Sequence, residues 1–136
     1  MSNPLFNEPK ALTVTLNLSV NPLLIIGGGA TAYRVLDWVL STNPEAKVKV
    51  VSPIISEEIK SLAWKKENVK LIKSVYMLSD LDGVRAVVAT TSDEKINERI
   101  RRTVSSRNTW VTFAKDPAQS DFFLPLEVWQ DQSIAS

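Results

Sequence analysis

The sequence predicts an α/β protein: a single domain built on a doubly wound parallel sheet. Three observations carry that expectation. Short apolar runs recur at Leu23–Ile26, Val48–Val51, Val69–Ile72, Ala86–Ala89 and Thr109–Ala114, and strands that are apolar throughout belong to sheets covered on both faces. Segments with helical periodicity stand between them, and alternating strands and helices build a parallel sheet through right-handed crossovers. The first run stops at Gly27-Gly28-Gly29 and leads straight into a helical pattern.

Each element follows in order. Residues 1–13 read as a loose start, although Leu12 to Val20 alternates branched apolar residues with Thr and Asn and suits an edge strand or hairpin arm. After the glycines, Ala32, Val35, Leu36, Val39 and Leu40 form one stripe, and Asn43-Pro44 ends the helix. The second strand stops at Ser52-Pro53. Ser56 reads as an N-cap, Glu57 and Glu58 as a first turn favoured by the helix dipole, and Ile59 and Leu62 as the buried face. Leu81-Asp82-Gly83 turns the chain into the fourth strand. Thr91 to Glu94 has T-x-x-E capping-box spacing, with Ile96, Ile100 and Val104 behind it as the apolar stripe. The domain is expected over 14–125, with 126–136 a short extension and room for a final short strand or helix.

Composition narrows the chemistry. The chain has 136 residues, 16 Lys and Arg against 15 Asp and Glu, 44% hydrophobic content, and neither His nor Cys. Usual zinc sites, iron–sulfur clusters, Ser-His-Asp triads and thiol nucleophiles are thereby excluded, because their ligating or proton-moving groups are absent. Near-zero net charge argues against a nucleic-acid partner, and no metal site is expected. The first ten residues lack the apolar core of a secretory signal, and no run approaches the ~18 apolar residues of a membrane span. A cytoplasmic protein without a membrane partner is the expectation. Arg99, Arg101, Arg102 and Arg107 read as the solvated face of their helix, and Trp38, Trp64, Trp110 and Trp129 as core or dimer-contact residues.

Gly27-Gly28-Gly29-Ala30-Thr31-Ala32 satisfies G-x-G-x-x-[G/A] between a strand and a helix. The first glycine permits the tight turn, Gly29 lets the backbone approach a pyrophosphate, and Ala32 lets the helix pack on the strand. The helix N-terminus then offers unpaired N–H groups to phosphate oxygens. The competing reading is a glycine turn that joins strand to helix in a Rossmann-like sheet binding nothing. Some twenty residues on, where an acid would hold a ribose, stands Ser52. Its hydroxyl can meet a ribose hydroxyl, and no Arg or Lys follows immediately to hold a 2′-phosphate, which favours NAD over NADP.

The run Leu16-Asn17-Leu18, then Leu23 to Gly29 with Ala32 and Arg34, resembles the start of the siroheme synthase N-terminal domain and of precorrin-2 dehydrogenase/sirohydrochlorin ferrochelatases. Val48 to Pro53 is similar to that family's VTVVSP, Ser79 to Gly83 to its SDLDG, and Ala89 to Ile100 to its AATDDxxxNERI. Asp116-Pro117 with Asp121-Phe122 and Pro125 echoes DxPxxxDFxFP, so the resemblance runs from about Val14 to Pro125. It implies NAD-dependent oxidation of precorrin-2 to sirohydrochlorin, in bifunctional members followed by insertion of ferrous iron. By the same resemblance Gly28, Gly29, Ala30 and Thr31 cradle the pyrophosphate, and Gly27 counts with them among the cofactor-binding residues. Ser52, Pro53 and Ile54 face the adenosine ribose, and Thr90 and Thr91 line the nicotinamide side. A tetrapyrrole substrate and a homodimer are the partners it implies.

The chain also departs from that pattern. The family Asp two residues before the proline, credited with proton handling and chelation, is Lys115 here. A cation neither accepts a proton nor attracts ferrous iron as a carboxylate does. Asp116, one position later, is the catalytic candidate, against a competing reading as a turn-forming Asp-Pro. The family also continues past Pro125 into a dimerisation segment and helices that complete the tetrapyrrole cleft, which this sequence leads us not to expect. Two functions follow: a precorrin-2 dehydrogenase, or a non-catalytic NAD-binding or oligomerisation module.

Overall fold

The structure, a computed structural model, describes residues 11–129. Five parallel strands form one sheet: β1 (Leu23–Ile26), β2 (Val48–Val51), β3 (Val69–Ile72), β4 (Ala86–Ala89) and β5 (Trp110–Phe113). Their order is β3-β2-β1-β4-β5. The chain winds outward from β1 to β3, returns to the other side of β1, and winds outward again. The order therefore reverses between β1 and β4, where loops at the strand ends diverge and leave a crevice.

Period-two alternation divides the strand side chains between two cores. Leu23, Ile25, Val48, Val50, Ala86 and Val88 pack beneath α1 (Ala30–Thr42), α2 (Glu57–Ala63) and the single turn α4 (Leu126–Trp129). All five residues of the expected α1 stripe are buried there. Leu24, Ile26, Val51, Val87, Ala89, Val111 and Phe113 face the opposite way, beneath Ile100 and Val104 of α3 (Glu94–Ser106). No α-helix joins β3 to β4. An irregular strap containing one 3-10 turn, Leu78–Leu81, crosses that face instead and contributes Tyr76, Leu81 and Val84 to the second core.

Several expectations are corrected. Leu12 to Val20 forms no strand: Leu12, Val14, Leu16 and Val20 are exposed. The segment's tie is Lys47 N–H donating to the Leu18 carbonyl (2.8 Å), at the amino end of the interior strand β2, where no free sheet edge is offered. The expected capping box at Thr91 is replaced by a cap at Asp93, whose Oδ1 accepts from the N–H groups of Lys95 (2.9 Å) and Ile96 (3.4 Å). A carboxylate that reaches two orphan donors outcompetes a hydroxyl at the positive end of a helix. Thr91 Oγ1 instead accepts from Asp93 N–H (3.0 Å). The buried stripe of α3 is Asn97, Ile100 and Val104, with Ile96 partly buried beside it.

Trp38 and Trp129 pack against the first core, but Trp64 and Trp110 are 73% and 46% exposed. Trp64 is the C-cap of α2, and Trp110 opens an edge strand. The arginine cluster is more engaged than a solvated face requires. Arg99 donates to the Tyr76 carbonyl (2.7 Å) and lies over its ring, while Arg101 pairs with Glu98 (2.6 Å) and lies over Phe113. Arg107 reaches Asp82 (3.0 Å) and so ties α3 to the strap.

The outer edge of β5 is sealed by the chain that follows it. Asp121 N–H donates to the Val111 carbonyl (2.7 Å), Asp121 Oδ2 accepts from Val111 N–H (3.0 Å), and Ser120 Oγ accepts from Phe113 N–H (2.8 Å).

Candidate functional site

The crevice at the strand carboxyl ends is a cleft of about 400 Å³ lined by residues 26–32, 51–54, 75–76, 90–92 and Ile96. Its floor is the glycine loop. Gly27 has φ +129, a conformation that L side chains rarely adopt, and donates to the Val51 carbonyl (3.0 Å). A Cβ there would meet Thr90 Oγ1, which itself donates to the Ile26 carbonyl (3.0 Å). Gly28 is needed for a different reason. Its absent side chain leaves room for the Ile54 carbonyl oxygen, which would stand 2.0 Å from a Cβ, and its own carbonyl accepts from Ser56 N–H (2.9 Å). Gly29 meets nothing within 4 Å. Of the three glycines, then, two are occupied by the protein and the third faces open space.

The N-terminus of α1 follows. Its N-cap is Gly29, with no side-chain cap and no acidic residue in the first turn. The helices α2 and α3 begin differently: Ser56 and Asp93 cap them, and Glu57, Glu58 and Glu94 occupy their first turns. The first-turn N–H groups of α1 have no carbonyl within the helix to bind. Their partial positive charge is thus left uncompensated at a helix start that opens onto the cleft.

The walls are uncharged. Ser52, Pro53 and Ile54 form the side over β2, and Thr90, Thr91 and Ser92 the side over β4. All ten residues expected to hold a dinucleotide, Gly27 to Thr31, Ser52 to Ile54 and Thr90 to Thr91, are brought together here. Val75 and Tyr76 were not expected, because only the pairing of β3 with β2 brings their loop to the cleft. Burial pushes the Tyr76 hydroxyl above its ordinary pKa, opposed by its hydrogen bond with Thr103 Oγ1 (2.6 Å). Among the described residues no cluster of acidic groups is arranged to hold a metal ion.

Asp116 and Lys115 stand elsewhere, in the turn after β5. The Asp116 N–H donates to the Phe113 carbonyl (3.3 Å), and its own carbonyl accepts from Ser120 Oγ (3.0 Å) and Gln119 N–H (3.2 Å). Neither side chain is among those lining the cleft. Another cavity of similar size lies against the β5 edge, between Val104, Trp110 and Asp121, and shares no residue with the glycine loop.

Residues 14–126 match the family described as "Putative NAD(P)-binding". The chain belongs to this family, the N-terminal NAD(P)-binding domain of siroheme synthases. The siroheme synthase of Psychrobacter sp. is 34% identical over 108 residues, covering 79% of this chain and 22% of that protein. The siroheme synthase of Methylobacillus flagellatus is 32% identical over 117 residues, 85% of this chain and 24% of its own length. This NAD(P)-binding domain therefore spans under a quarter of these relatives. Among solved structures, SirC, a precorrin-2 dehydrogenase, superposes with a TM-score of 0.70 at 24% identity, covering 85% of this chain and 54% of that one. That likeness shows the fold. The family's cofactor class agrees with the open space at Gly29 and the uncapped α1 terminus, which fit a pyrophosphate.

Proposed function

We propose that this domain binds NAD in the glycine-loop cleft and serves the oxidation of precorrin-2 to sirohydrochlorin. The observation that carries the reading is the N-terminus of α1, uncapped and free of acid where α2 and α3 are capped and acidic. A diphosphate would take the N–H groups of Gly28 to Thr31. Ser52 would meet the adenosine ribose, and Thr90 and Thr91 would border the nicotinamide half. The oxidation removes two hydrogens from the substrate, and bound NAD supplies the acceptor for the one that leaves as hydride, the other leaving as a proton. The chain's own residues bind and orient. The walls carry no carboxylate among the described lining residues, so they supply position rather than acid–base chemistry.

Calorimetric titration with NAD, followed by the appearance of sirohydrochlorin absorbance from precorrin-2, tests this directly. Binding with turnover is expected. A folded protein that binds no NAD refutes the whole reading, and binding without turnover at saturating NAD refutes the dehydrogenase half.

Lys115 favours a second reading, a non-catalytic NAD-binding module. The position credited with a carboxylate in the family holds a cation, and Asp116 is engaged in a turn outside the cleft. Turnover gained by Lys115→Asp in an inactive parent would identify that substitution as the cause.

A further inference from the structure

Asn97 lies on the sheet-facing stripe of α3 with Ile100 and Val104 and is 8% exposed. Its Nδ2 donates to the Thr91 carbonyl (3.1 Å), while its Oδ1, equally buried, has no hydrogen-bond partner. An aliphatic side chain would fill this stripe without burying an orphaned carbonyl, so packing alone does not explain an amide here. What the amide adds is its bond to Thr91.

Thr91 is the middle of the loop Thr90–Thr91–Ser92, all three residues of which line the cleft over β4. The loop's other ties are made by Thr90 and by the Thr91 side chain. Thr90 is bound through its N–H (2.9 Å) and Oγ1 (3.0 Å) to the Ile26 carbonyl, and Asp93 N–H is bound to Thr91 Oγ1. The Thr91 carbonyl belongs to the peptide plane between Thr91 and Ser92, and Asn97 fixes that plane from the helix behind it.

We propose that Asn97 is a positioning residue for the Thr90–Ser92 loop, and so for the half of the dinucleotide that lies over β4. The proposal rests on the NAD reading above and deepens it: the orphaned Oδ1 is tolerated because the Nδ2 bond sets one wall of the cleft.

The test uses Asn97→Leu, with Asn97→Ala as a second variant should the larger side chain disturb the fold. Three measurements are made on the full chain: thermal melting, amide exchange at Asp93 without ligand, and titration with NAD and with AMP, which reaches only the glycine loop and the β2 side. Asn97→Leu is expected to melt at or above the wild-type temperature. Asp93 exchange accelerates, NAD affinity falls about five- to tenfold, the range one hydrogen bond supplies, and AMP affinity changes less than about twofold. Proportional losses of NAD and AMP, unchanged NAD affinity, or a large drop in melting temperature for both variants would each overturn the proposal. A wild-type chain that binds neither ligand refutes the NAD reading itself, and Asp93 exchange then still decides whether Asn97 holds the loop.

Discussion

Gly28 and Gly29 are neighbours in one motif, yet the structure separates what each is for. Gly28→Ala places a methyl 2.0 Å from the Ile54 carbonyl oxygen and 3.0 Å from Ile54 C and Ile55 Cα. These are backbone atoms, so no rotamer change relieves the overlap. The oxygen must retreat by about 1 Å merely to reach 3.0 Å, and the Ser56 N–H bond to the Gly28 carbonyl (2.9 Å) is lost with that retreat. Overpacking of this kind costs about 2 kcal/mol and the lost bond about 1 kcal/mol. A total near 3 kcal/mol lowers the melting temperature by about 12 °C for a domain of this size. Gly29→Ala meets nothing within 4 Å, and its φ of −103 is open to any L residue. Its stability should stay within about 0.5 kcal/mol of the parent, while its methyl holds a diphosphate off the α1 terminus and weakens NAD binding at least about tenfold. Circular dichroism melts and calorimetry on both variants decide the matter. A Gly28→Ala protein that melts with the parent, or a Gly29→Ala protein that binds NAD unchanged, refutes this assignment of the two glycines.

Three further outcomes are expected. Asp93→Ala removes the acceptor for two N–H groups of α3 and should cost about 1–2 kcal/mol in urea denaturation, whereas Thr91→Ala should cost clearly less; the reverse ranking would restore Thr91 as the cap. Tyr76 has its folded pKa raised above 10.0 by burial, so its contribution is complete below the unfolded value and is lost as pH rises through the folded one. Melts between about pH 9 and 11 should therefore fall more steeply for wild type than for Tyr76→Phe, and parallel curves would show that Tyr76 does not gain from burial as a neutral phenol. Ser52→Asp introduces a carboxylate at the end of β2 beside the expected ribose, and titration should show the NADP/NAD affinity ratio falling at least about tenfold; an unchanged ratio would place the ribose elsewhere.

The sheet was legible because its information is local. Leu23–Ile26, Val48–Val51 and Ala86–Ala89 are apolar runs closed by turn residues, and each is a strand with the bounds its sequence suggests. The α1 stripe is equally direct, since the five residues at helical spacing are the five that are buried. What failed depended on the neighbourhood. Leu12 to Val20 alternates as a strand should, but pairing needs a free edge, and the segment lies by the amino end of an interior strand. The cap of α3 went to Asp93 because two acceptors competed within three residues, and charge together with reach to two donors decided between them. In the cleft, residues contributed by β1, β2 and β4 follow from the rule that ligands gather at strand carboxyl ends. Val75 and Tyr76 required knowledge of which strand lies beside β2. Asn97 did carry a sequence signal: with Ile100 and Val104 it spaces as a buried stripe in which one member is polar.

The seal along β5 limits how copies of this chain can meet. An open strand edge is a template on which another strand, from any source, can continue the ladder. Here Ser120 and Asp121 already occupy the donors of Val111 and Phe113 and the acceptor of Val111. A continuous sheet running from one molecule into the next through β5 would first have to evict that returning chain. Growth at the other border would fall to β3, a strand of four residues that carries Lys70 and is followed by Lys73, where two like-charged edges would be brought side by side. Among the described residues, a ladder through β5 is thus closed by the returning chain and one through β3 is opposed by like charge.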